Sequence, residues 1–241
     1  MKIWLIIVAF ALLGAFEGGL LVHAQAESPP LRCQWRLVVA VPDAGKTLVA
    51  FNGTTVVPAG YPEGFSSSGI AASAGPIRLE LRHPLLGVQT TTVELASKVM
   101  NTLVVHVVEE EQGNPGRAEE QKQRRLAVSN LSSRLEGEEG AEILLASFCG
   151  DSDHLRVELV GLVDSSQAAS EEPGAAASTA RKLALTLRGG EQKLVAFQGQ
   201  EITEIAAGEQ RIEVARDPDQ PPPVVVFYHR VDGRVKVVGA F

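Results

Sequence analysis

Five consecutive residues, Gly150-Asp151-Ser152-Asp153-His154, carry a hydroxyl, two carboxylates and an imidazole, the groups that nucleophilic hydrolysis uses. That chemistry needs a base held against the hydroxyl by a third group in fixed geometry. A short turn between strands seldom supplies it, so the run reads as a turn, with a small hydrolase using Ser152 and His154 as the alternative. Asp151 and Asp153 could face a cation, but the full calcium-loop pattern is missing. The histidines beyond the N-terminal run, His83, His106, His154 and His229, form no i, i+4 pair and no His-Glu-x-x-His, so no metal site is expected. His106 in VVHVV and His229 in FYHRV occupy similar places. Two independent strand histidines is the reading favoured over a shared ligand site. Ser66-Ser67-Ser68-Gly69 lacks the setting of a nucleophile elbow, and Lys46 in DAGKT lacks the first glycine of a phosphate loop. No catalytic residue and no cofactor is therefore expected. Asn52-Gly53-Thr54 and Asn130-Leu131-Ser132 fit the glycosylation sequon, although Asn52 is better explained by a hairpin turn.

Two cysteines, Cys33 and Cys149, are present. In an oxidising compartment they form a candidate disulfide. The alternative is a buried, apolar Cys149 and an unbridged Cys33. The compartment is read from the N-terminus. Lys2 precedes the apolar run Ile3–Phe16, and Ala24-Gln25-Ala26 fits a small-x-small cleavage site. Residues 1–26 are thus expected to be a cleaved signal peptide, leaving a soluble periplasmic or secreted product. The net charge of −7, with both signs scattered, offers no basic stripe for nucleic acid.

The elements that would position such groups are short strands, and part of the series repeats. Residues 36–53, RLVVAVPDAGKTLVAFNG, align without a gap to residues 182–199, KLALTLRGGEQKLVAFQG. Arg78-Leu79-Glu80-Leu81 is echoed by Arg211-Ile212-Glu213-Val214. A supersecondary unit used twice is expected. Alternation of apolar and polar residues along 77–82 and 88–95 predicts half-buried strands, and the β-branched run 103–108 predicts a central one. Asn52-Gly53 predicts a tight hairpin. The charged segment 109–125 reads as a linker and 164–181 as a disordered loop of low complexity. The expected fold is all-β: two tandem antiparallel β-sandwich domains, at 34–108 and 126–241, built on the repeated unit.

The order of RLVVAVPDAG, LVAFNG, a Gly/Ser loop, RLELRHP, a polar strand and NTLVVHVV resembles exported β-sandwich units. Such units occur in tandem in the periplasmic accessory protein of alginate O-acetylation and in related cell-surface domains. The resemblance covers 36–108 best. The second half departs from it by lacking the Gly/Ser loop and by carrying the 164–181 insert. It implies a non-catalytic adaptor in an envelope complex, with envelope proteins, an O-acetyltransferase complex or polysaccharide as partners. The contact surface expected is loop 58–76, with Tyr61, Phe65 and Ser67, unless the two rings cover the end of the sandwich. An esterase-like hydrolase and a carbohydrate-binding module are the alternatives. The low aromatic content argues against the latter.

Overall fold

The computed structural model describes residues 32–111, 122–134, 141–150, 154–163, 180–197, 200–214 and 222–240. These fold as strands joined by turns, without a helix among the described residues. The expected signal peptide and the Asp151-Ser152-Asp153 run lie outside them. So do most of the expected loop at 164–181 and residues 112–121 of the expected linker.

The first half comprises β1 (Arg32–Ala40), β2 (Leu48–Phe51), β3 (Thr54–Thr55), β4 (Phe65–Ser66), β5 (Ile70–Ser73), β6 (Gly75–His83), β7 (Gly87–Leu95), β8 (Val99–Glu111) and β9 (Lys122–Arg134). The second comprises β10 (Ala141–Phe148), β11 (His154–Val163), β12 (Ala180–Arg188), β13 (Gln192–Phe197), β14 (Gln200–Ala207), β15 (Gln210–Glu213), β16 (Val224–His229) and β17 (Val235–Ala240). They make four sheets. The outer sheets have the orders β3-β2-β6-β7 and β12-β11-β14-β15. The inner sheets have the orders β4-β1-β8-β9, with β5 also on β1, and β13-β10-β16-β17.

Three hydrophobic cores alternate with these sheets. One, built from Trp35, Leu37, Val39, Leu79, Leu81, Leu103 and Val105, fills the first sandwich. Another, with Ile143, Leu145, Val157, Leu159, Ile205 and Phe227, fills the second. The third draws Val38, Ala40, Val104 and Leu131 from the first inner sheet and Leu144, Ala146, Val224, Val226, Tyr228, Val238 and Ala240 from the second. The inner sheets are therefore packed on both faces. This explains why β1 and β16 lack alternation: Leu37–Val41 and Val224–Tyr228 are each at most 2% exposed. The outer strand β6 does alternate. Leu79 and Leu81 point in, while Arg78 and Arg82 point to solvent.

The all-β, sandwich-like fold is as expected, but its organisation differs in three ways. First, residues 126–134 do not open a second domain. They belong to β9, which pairs with β8 from Val99↔Arg134 to Glu111↔Lys122, so both ends of the expected linker are strand. Leu31–Phe241 form one compact unit. Second, the sheets are mixed: β1 runs parallel to β8, and β10 parallel to β16. Third, the sequence repeat is out of phase with the structural one. LVAF at 48–51 is β2, in an outer sheet, whereas LVAF at 194–197 lies in β13, at the edge of an inner sheet. The true counterparts are β1, β8, β9 and β10, β16, β17. Short alternating strands all share one pattern, so similarity of that kind does not report which sheet a strand joins.

Candidate functional site

The loop expected to meet a partner is engaged within the chain. Tyr61 is buried, and its backbone exchanges hydrogen bonds with Thr47 at 2.8 and 2.9 Å. Its ring lies 4.7 Å from that of half-buried Phe65, and both pack on the first core. Burial pushes the Tyr61 phenol above its ordinary range. The reading in which both rings cover the end of the sandwich is the one observed. Ser67 is a strand clamp: its amide donates to Leu37 O and its Oγ accepts from Leu37 N, each at 2.8 Å.

Glu63, which the sequence reading passed over, ties this loop to the second half. Its Oε1 accepts from Tyr228 Oη at 3.3 Å and lies 3.2 Å from Arg230 Nε and 3.5 Å from Lys236 Nζ. Burial, with Glu63 beside it, pushes the Tyr228 phenol far up, so that oxygen keeps its proton and donates. Gly64 follows at φ +72°, and a Cβ there would lie 3.0 Å from Lys236 Nζ. Sequence spacing gave no signal for this cluster, because its partners stand more than 160 residues apart.

Polar groups also enter the joint between the inner sheets. Arg36 is fully buried. Its Nε donates to Thr102 Oγ1 and its Nη2 to Pro222 O, both at 2.9 Å, while Nη1 has no partner among the described residues. Burial lowers its pKa to about 10, so it stays charged at neutral pH. His106 shares a 2.9 Å hydrogen bond with Ser129 Oγ, and its ring lies 4.2 Å from that of Phe148. Burial lowers its pKa to about 4, which makes it a neutral core histidine at pH 7. A third cluster closes one end of the first sandwich. Arg124 donates to both carboxylate oxygens of Asp43, at 2.7 and 2.9 Å. Beside it His83 accepts from Leu85 N at 3.3 Å, and burial pushes its pKa down.

The candidate disulfide is not formed. Cys33 is a free thiol in the first core, and Cys149 lies in the second, with both inner sheets between them. Burial raises the Cys33 pKa, which makes the thiol a poor nucleophile. No group of three or more metal-ligating side chains occurs among the described residues. Asn52 and Gly53 take left-handed φ values of 48° and 82°, and Asn52 Oδ1 accepts from Arg78 N, as the hairpin reading requires. Asn130 Nδ2 donates to Glu94 O and Asn101 Oδ1.

The β6–β7 turn presents Leu85 at 67% exposure, and the start of β7 presents Val88 at 63%, three residues on. Large apolar side chains are also exposed singly at Val56, Leu183, Leu194 and, in the β16–β17 turn, Val231. In the second half, a 610 Å³ cavity is lined by His154, Thr186, Arg188, Gly189, Gly190 and Glu191. His154 and Arg188 are cross-strand partners there. Compared with known proteins, the chain matches no family model and no curated sequence.

Proposed function

We propose that the chain is a non-catalytic exported adaptor that acts by protein–protein contact, and that its contact surface is the β6–β7 turn. The observation that carries this is the exposed pair Leu85 and Val88 beside exposed Pro84. Apolar side chains exposed close together favour a partner surface, whereas scattered ones need no explanation. The envelope setting, and a link to polysaccharide O-acetylation or assembly, are supported by the N-terminal apolar run and by the resemblance of residues 36–108. The test is affinity capture from the native envelope with wild type and a Leu85→Asp/Val88→Asp variant. A partner retained by wild type and lost by the folded variant supports the reading. Equal recovery by both contradicts it.

A second reading, a small esterase-like hydrolase, is favoured by one observation: His154 lines the 610 Å³ cavity. Labelling by a fluorophosphonate probe that disappears with Ser152→Ala would support it. Labelling unchanged by that substitution would remove it.

A further inference from the structure

We propose that residues 63–73 are a displaceable strap over the outer edge of β1, latched by Glu63, and that the uncovered edge accepts an extended peptide strand. This goes beyond the turn surface proposed above and does not depend on it.

The edge itself is unusual. One side of β1 is bonded in parallel to β8 from Gln34 to Ala40. The other side is covered in two pieces, with β4 opposite Val38 and Val39 and β5 opposite Arg32–Trp35. Between them Ser67 provides the clamp on Leu37. The corresponding edge of β10 carries one continuous strand, β13, over six consecutive pairs.

The strap also buries little. Ser68, Gly69, Ile70, Ala71 and Ser73 are exposed, and Phe65 and Ala72 are its partly buried apolar contacts. Segments with few buried apolar contacts and solvent-facing hydrogen bonds open at low free energy. What fastens the strap at its start is the carboxylate of Glu63 on Tyr228, Arg230 and Lys236, next to the Gly64 amide, which donates to Val39 O at 2.9 Å. Underneath is β1, buried on both faces from Trp35 to Ala40, whose edge once uncovered would pair with a compatible strand.

The existing register states what would fit. The incoming strand runs antiparallel, with an aromatic side chain opposite Val39 and small side chains opposite Gln34 and Cys33, where the strap places Phe65, Ala71 and Ala72. Its anchor is a carboxylate two residues before the aromatic, set where Glu63 now meets the second half.

The experiment compares the full wild-type chain with Glu63→Gln by hydrogen exchange and by binding of a labelled synthetic peptide with the sequence of residues 63–73. The expected result is exchange at the Gly64 and Ser67 amides about tenfold faster in the variant, with β8 and β9 unchanged. The variant should also retain the peptide, which supplies the missing carboxylate, and should not retain a copy with alanine at the phenylalanine position. Unchanged exchange at Gly64 and Ser67, acceleration throughout the chain, or no peptide retention would each overturn the proposal. If Glu63→Gln does not fold, Lys236→Ala reads the same amides with the latch weakened from the other half. Acceleration confined to the strap supports the proposal there, and no acceleration overturns it.

Discussion

The two halves solve the same problem with different degrees of closure. Each places a parallel strand pair in an inner sheet, β1 with β8 and β10 with β16, and adds an antiparallel third strand, β9 or β17. In the second half the outer flank of β10 is a regular strand. In the first half the equivalent flank of β1 is a Gly/Ser-rich strap in two pieces, clasped to the other half by Glu63. The same architecture thus yields one closed edge and one edge whose cover depends on a contact between halves. That contact belongs to a wider joint, in which the third core and the buried Arg36 connect the two sandwiches within one compact unit.

Leu131→Ala should have the largest effect on this comparison. Leu131 is fully buried in the joint core, and its truncation is expected to cost about 2–5 kcal/mol. Because the core is shared, the loss should lower the denaturation midpoint of strands in both halves equally. Leu79→Ala, in the first core alone, provides the control. If the halves are one unit, it too shifts both, as read by denaturant titration with segment-resolved hydrogen exchange.

The pH dependence of the joint follows from His106. Its folded pKa of about 4 lies below the ordinary histidine value, so protons bind the unfolded chain more readily. The stability it contributes is present above about pH 6.5 and is lost as pH falls through about 4, by an amount on the order of 3 kcal/mol. Arg125 adds to the disfavour of the charged ring. His106→Gln should flatten this part of the profile, and thermal unfolding at stepped pH checks it. A wild-type profile no steeper than the variant's would remove His106 as the source.

Local turn and strand signals were legible in the sequence. Asn52-Gly53 gave its hairpin, and the alternation of 77–82 gave β6. These are near-neighbour effects, and near-neighbour chemistry decides them. The linker was misread because EEE at 109–111 and KQRR at 122–125 are charged. Paired across a hairpin, however, they extend β8 and β9, and Arg124 reaches Asp43. Tyr61 and Phe65 were placed on a partner surface because aromatic rings among glycines look exposed. Only the fold shows that they close a core. The Glu63 cluster and the Arg36–Pro222 bond join residues far apart in sequence, and no spacing rule reports them.

The smallest expected effect is at the hairpin turn of the first outer sheet. Gly53 has a left-handed φ of 82°, and a Cβ there would meet nothing within 4 Å. Gly53→Ala should therefore cost only backbone strain, about 1 kcal/mol, as a small shift in the urea midpoint. A larger loss would mean that the turn is packed more tightly than the structure shows.

The most direct test of the central claim, that the two sandwiches unfold as one body, is pulse-labelled hydrogen exchange across a urea titration. It should follow β6 in one outer sheet and β11 in the other. A common midpoint is expected for both strands, moved together by Leu131→Ala. Protection lost from β11 at a urea concentration where β6 remains protected, or the reverse, would contradict it.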